Sequence, residues 1–168
     1  MNNGFLDIGC GNKCKDGYIG LDKVQLPGVS IVADIEQGLP LKSTSCKVIR
    51  AHHVFEHVAN LVGLMNEIHR VLMPNGRLEI GVPLVGCCDD KGNWVFGAGA
   101  YLDITHVRYF SEDSFNYWTI LPNGRQYVGN TDVAIKGNFR IVDRVISTCY
   151  IDMSRYSGVN MDMVMEKV

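Results

Sequence analysis

Short apolar runs alternate with polar turns through the first half of the chain. Phe5-Leu6-Asp7-Ile8, Tyr18-Ile19-Gly20-Leu21-Asp22 and Val29-Ser30-Ile31-Val32-Ala33-Asp34 each read as a strand ending in a glycine turn or an acid. Cys46-Lys47-Val48-Ile49-Arg50-Ala51 and Arg77-Leu78-Glu79-Ile80-Gly81-Val82-Pro83 predict a fourth and a fifth strand. Between these two, Leu61, Leu64, Met65, Ile68, Val71 and Leu72 recur at helical spacing, with Asn60 as N-cap and Pro74-Asn75-Gly76 as the stop. Residues 84–110 are rich in glycine and aromatics and show no period, the signature of a functional loop. Ser111-Glu112-Asp113-Ser114 predicts the cap of a short helix carrying Phe115 and Trp118. Phe139–Ile146 and Met161–Val168 alternate apolar and polar residues, as strands do. Strands alternating with a helix place the chain in the α/β class.

The first strand runs directly into Gly9-Cys10-Gly11, where glycines permit a positive φ and close approach of a ligand to the main chain. Asp22 ends the next strand, the position from which a carboxylate holds ribose hydroxyls in α/β nucleotide sites. A nucleoside-containing cofactor is therefore expected across the carboxyl ends of the strands. The spacing disfavours a dinucleotide. A third glycine is absent at Cys14, the acid follows Gly11 too soon, and residues 12–17 are too short and polar for a helix whose N-terminus could hold a pyrophosphate.

Asp7-Ile8-Gly9-Cys10-Gly11 resembles the first motif of class I S-adenosylmethionine-dependent methyltransferases, in particular their compact methyltransferase-11-like subgroup. Ala33-Asp34-Ile35-Glu36, His53-Val54-Phe55-Glu56-His57-Val58, residues 67–76 and Asp103-Ile104-Thr105-His106-Val107-Arg108-Tyr109-Phe110-Ser111 follow in the family's order. The resemblance implies a single domain over residues 1–168 with a Rossmann-like, mostly parallel sheet closed by a C-terminal antiparallel hairpin. It implies S-adenosylmethionine as cofactor, held by Asp7, Gly9, Cys10, Gly11, Asp22 and His52, with Asp34 and Ile35 beside the adenine. The implied reaction is methyl transfer to a small-molecule or glycan acceptor; a catalytically silent module of the same fold is the alternative. His53, Asp103 and His106 are the candidate catalytic groups, because an acceptor protonated at working pH needs a base near the methyl. Arg108 is expected to orient an acid or bind an anionic substrate, and Glu56 to cap backbone N–H groups.

Against the family pattern, the links from strand one to two and from two to three leave no length for crossover helices. Several helices of the N-terminal half are thus missing. With apolar residues at both parities of these strands, both sheet faces are expected to seek burial; a homodimer or larger partner complex is expected to supply it, with cover by residues 84–101 or by the segment after Trp118 as the competing outcome.

A chain of 168 residues with formal net charge −2 gives no electrostatic reason to expect nucleic acid or an anionic membrane as partner. No apolar run reaches membrane-spanning length, and Met-Asn-Asn-Gly leads straight into a strand, so a cytoplasmic location is expected. Six cysteines without framework or paired ligand spacing predict reduced thiols and no metal site.

Overall fold

The computed structural model describes residues 4–89, 91–120, 138–152 and 156–168. Four strands come first: β1 (Phe5–Ile8), β2 (Ile19–Asp22), β3 (Val29–Val32) and β4 (Cys46–His52). Helix α1 (Leu61–Val71) then leads into β5 (Leu72–Pro83). The loop region holds a small hairpin of β6 (Gly86–Cys88) and β7 (Trp94–Phe96), followed by the single turn α2 (Gly99–Leu102). Strands β8 (Phe139–Asp152) and β9 (Tyr156–Lys167) close the chain. Seven strands form one sheet in the order β3-β2-β1-β4-β5-β9-β8. The first five pair in parallel, and β9 runs antiparallel to both β5 and β8. The expected α/β class, parallel half and antiparallel hairpin are all present.

Two boundaries differ from expectation. Pro74-Asn75-Gly76 does stop the helix, but within β5, as an irregularity between the pairs Cys46↔Leu72 and Val48↔Arg77, with Asn75 at φ 60°. Residues 84–110 are not a bare loop, since they contain β6, β7 and α2.

One sheet face is apolar throughout. Leu6, Ile8, Leu21, Ile49, Leu78, Ile80, Met163 and Met165 all point to it and join the α1 stripe Leu61, Leu64, Met65, Ile68 and Val71 in one core. Burying each such side chain contributes about 1.5–3 kcal/mol. Asn60 caps α1 as expected, its Oδ1 accepting from Gly63 N at 3.0 Å. At the other end the Lys167 ammonium donates to the His69 and Leu72 carbonyls, which the helix leaves without partners.

The other face is polar, which overturns the expectation that both faces seek burial. The register Asp7↔Arg50↔Glu79 and His52↔Gly81↔Asp162 brings charged residues into rows across β1, β4, β5 and β9. Arg50 binds the buried Asp7 at 3.1 Å, Lys15 binds Glu79 at 3.0 Å, and His52 meets Asp162 at 2.9 Å. Among the described residues, ion pairs join the charged side chains of this face. The apolar premise of the expected homodimer is gone. The segment after Trp118, the other expected cover, lies largely outside the described residues.

The short links work because they lie flat on β2. Residues 23–28 return the chain from Asp22 to Val29, tightened by Val29 N donating to Leu26 O at 3.0 Å. They cross directly over Gly20, where a Cβ would overlap the Gly28 carbonyl oxygen and lie 2.8 Å from Cys10 Sγ. Loop backbone thus occupies the place a crossover helix takes in longer sheets.

Candidate active site

Every parallel strand ends at the same sheet edge, and a cavity of about 400 Å³ opens there, within the usual range for small-ligand sites. Gly9 follows β1, Asp22 ends β2, Ala33-Asp34-Ile35-Glu36 follow β3, and His53-Val54 follow β4; His57, Val58 and Thr105 complete the wall.

Gly9 sits at φ 62°, and a Cβ there would lie 2.6 Å from Val54 Cγ2, so both backbone and space demand glycine. Gly9 N donates to Leu21 O at 2.7 Å, which ties the turn to β2. The Asp22 carboxylate accepts from Gly11 N at 2.9 Å and Val24 N at 3.0 Å, one bond per oxygen, leaving lone pairs for a ligand. Asp34 caps the 3₁₀ turn Ile35–Gln37 by accepting from Glu36 N at 3.0 Å.

His53 also holds a left-handed backbone, φ 53°, fixed by its N–H donating to Gly81 O at 2.9 Å. Such strain in a non-glycine residue marks a position the surrounding structure over-determines. The Nδ1–H of His53 faces Glu56 Oε1 at 3.2 Å, and this bond holds the imidazole pKa above its ordinary value. The lone pair on Nε2 is thereby left for another partner.

Loop 103–108 packs on the 3₁₀ turn Phe55–His57. Val107 N and Arg108 N donate to Glu56 O at 2.8 and 3.2 Å, and His57 Nδ1 meets the Thr105 hydroxyl at 3.0 Å. Thr105 reaches the cavity as a result. His106 does not line it, because its ring is enclosed, with Nδ1 donating to Ala100 O at 2.8 Å. Asp103 is exposed and accepts from Thr105 Oγ1 at 2.6 Å and Thr105 N at 2.8 Å, which holds its carboxyl below the usual range.

Of the expected cofactor residues, Gly9, Asp22, Asp34 and Ile35 line the cavity. Asp7 and His52 do not, since strand parity turns both to the polar face, where Arg50 and Asp162 hold them. Asp7 still shapes the site from behind, its carboxylate accepting from Lys15 N at 2.9 Å and so anchoring the loop after β1. Gly11 acts on Asp22 instead of lining the wall, and Cys10 is buried against Gly20. Burial, with Cys14 beside it, pushes the Cys10 thiol up to about 11. Arg108 neither orients an acid nor faces the cavity: its guanidinium donates to the Val58 carbonyl at 2.7 Å and to that of Ala59. Glu56 caps no helix and is buried under His53. The sequence reading missed Val54 and Val58, apolar neighbours of the His53–His57 motif that only the turn after β4 brings to the wall.

A second cavity of about 550 Å³ lies on the polar face, lined by Lys15, Arg50, His52, Glu79 and Asp162 among others. There Lys15 pairs with Glu79 and His52 with Asp162, while Arg50 pairs with Asp7.

The family model described as a methyltransferase domain matches residues 13–80, from the loop after β1 into β5. The chain resembles this family over that stretch, which is less than half of its length. Solved structures share the methyltransferase fold over nearly the whole chain. A putative methyltransferase from Bacillus halodurans matches with TM-score 0.63 and 12% identity, covering 97% of this chain and 91% of its own. A SAM-dependent methyltransferase from Archaeoglobus fulgidus gives TM-score 0.61 and 16% identity, covering 97% and 85%. The 1,6-didemethyltoxoflavin-N1-methyltransferase of Burkholderia thailandensis, solved with 1,6-didemethyltoxoflavin and S-adenosylhomocysteine, gives TM-score 0.58 and 16% identity, covering 98% and 70%. No curated protein matches the chain. The cavity offers carboxylates at two strand ends, a bare glycine turn and an apolar wall of Ile35, Val54 and Val58, a set that suits a nucleoside-bearing cofactor such as S-adenosylmethionine. Among the described residues, no helix is long and apolar enough to cross a membrane.

Proposed function

We propose that residues 1–168 act as one domain that methylates a hydroxyl-bearing small molecule or glycan, with His53 as the base. The observation that carries this reading is His53 itself, held at the cavity wall in a strained backbone with Nδ1 committed to Glu56 and Nε2 free. S-adenosylmethionine supplies the electrophilic methyl group; the chain's residues bind, orient, exclude water and accept a proton. Asp22 takes the ribose hydroxyls and Asp34 the adenine amino group, with Ile35 against the purine face. Asp103 and His106, expected to be catalytic, serve in this reading to seat Thr105 at the cavity.

The acceptor side is supported by an aromatic stack in the segment that carries Thr105. Tyr101 lies over Phe96 with centroids 5.4 Å apart and over Tyr109 at 4.7 Å, and all three rings are about half exposed. Exposed aromatics offer an apolar surface with polar tips, which suits the mixed faces of a sugar or a hydroxylated ring. The cytoplasm is the proposed location, consistent with free thiols at Cys10, Cys14, Cys46, Cys87 and Cys88. With the open face polar, the working unit in this reading is a monomer and not the homodimer.

Calorimetry with S-adenosylhomocysteine, then turnover with a panel of sugars and phenols, tests the reading. Asp22→Ala should weaken cofactor binding by about 1–3 kcal/mol. His53→Ala should lower kcat about 100-fold or more while leaving that affinity nearly unchanged. Unaltered turnover in His53→Ala would remove the base from the mechanism.

A further inference from the structure

We infer that Glu56, His57 and His106 form a binding site for one divalent transition-metal ion of the zinc type at the wall of the cofactor cavity. One ligand-capable atom from each of the three lies within 4.8 Å of the others. Glu56 is 1% exposed, and while Oε1 meets His53, Oε2 is buried with no hydrogen-bond partner. A carboxylate oxygen enclosed in this way calls for a cation or a donor.

Both imidazoles are set up as ligands. His106 donates Nδ1–H to Ala100 O at 2.8 Å, and His57 places Nδ1 3.3 Å from Thr105 O, so each ring keeps the lone pair on Nε2. A backbone carbonyl fixing the far nitrogen is the usual support of a metal-binding histidine. The two rings meet edge to face at 4.8 Å, and the His106 side chain, 7% exposed, is enclosed by its surroundings. Asp103 Oδ2, 3.9 Å from His106 Nε2, adds negative charge beside the same point.

Two nitrogens and one carboxylate oxygen suit Zn²⁺ better than Mg²⁺ or Ca²⁺, which prefer oxygen alone. Three protein ligands leave a coordination position open. The ion would clip loop 103–108 to the turn after β4, two segments far apart in sequence. His57 also lines the cavity, so the open position is available to an acceptor oxygen; that use, unlike binding itself, rests on the methyl-transfer reading above.

The test uses the full chain, untagged and stripped with a chelator, titrated with Zn²⁺ by calorimetry and with Co²⁺ by visible absorption. One equivalent should bind, and bound Co²⁺ should show the intense bands of a low-coordinate site with nitrogen ligands. His106→Ala and Glu56→Gln should each weaken binding about tenfold or more, whereas His52→Ala, on the polar face, should not. Because Glu56 is buried and its variant could misfold, His57→Ala, at an exposed position, provides the same reading independently. No binding by the wild type, a weak spectrum like that of aqueous Co²⁺, or unchanged affinity in both histidine variants would overturn the site. S-adenosylhomocysteine calorimetry keeps the two readings apart: metal binding without cofactor binding sinks the function, and cofactor binding without metal binding sinks this site.

Discussion

At Gly20 a single missing Cβ decides whether the short chain can fold. The link at residues 23–28 presses the Gly28 carbonyl onto that position, with Cys10 and Cys14 sulfurs 2.8 and 3.0 Å from the missing atom. Backbone cannot yield as a long side chain can, so Gly20→Ala should destabilise the protein by about 1–3 kcal/mol through overpacking. It should also loosen the Gly9 turn, which is bonded to Leu21. Thermal unfolding measures the first effect and S-adenosylhomocysteine calorimetry the second; an unchanged melting temperature would mean that the link does not lie on the strand. The same scale separates roles that motif matching merges. Asp7 and Asp22 both stand near the first glycine turn, yet only Asp22 reaches the cavity, because it ends β2 at the sheet edge while Asp7 lies within β1 and is held by Arg50.

Among the elements, α1 links the core to the C-terminal strand pair. Its last turn carries His69, packed edge to face on Phe139 at 5.4 Å with Nε2 buried and without a partner. Burial, reinforced by Lys167, holds the His69 pKa below 6.5. The folded state therefore binds this proton less readily than the unfolded chain does. Stability is complete above about pH 6.5 and is lost as the pH falls below it, with a slope of at most about 1.4 kcal/mol per pH unit. Melting curves between pH 7.5 and 5.5 should show the loss, and His69→Phe should flatten it relative to wild type. A variant with the wild-type pH dependence would assign the proton elsewhere. The position of α1 itself was plain from its five apolar residues at helical spacing, since a stripe of that width has to face a core. The mixed content of residues 84–110 was not, because β6 and β7 are three residues each, too short for a period to register.

At the scale of the whole molecule, the described residues give a sheet covered by helix on one side and carrying a polar face on the other. Open parallel sheets are normally buried on both faces. This one differs because β4, β5 and β9 place Arg50, His52, Arg77, Glu79, Asp162 and Glu166 on one face. Sedimentation velocity at micromolar concentration should give a monomer. A dimer dispersed by Glu79→Arg would instead show the polar face to be an interface.

By itself the sequence determined the α/β class, the helix, the glycine turn and the acids at the ends of the second and third strands, all of which follow from local periodicity or from residues close in the chain. The mostly parallel sheet was legible only through the family resemblance. The alternation of Val48, Arg50 and His52, and of Arg77 and Glu79, was equally legible and already marked the polar face, but short strands near the N-terminus suggested the opposite. Tertiary structure alone decided which face each side chain joins, since register fixes parity only once strands are paired. It also decided that His53, not His106, stands at the wall, and that Glu56, His57 and His106 converge. Those groups come from segments some fifty positions apart, and no local rule measures the distance between residues that meet only when the sheet edge closes.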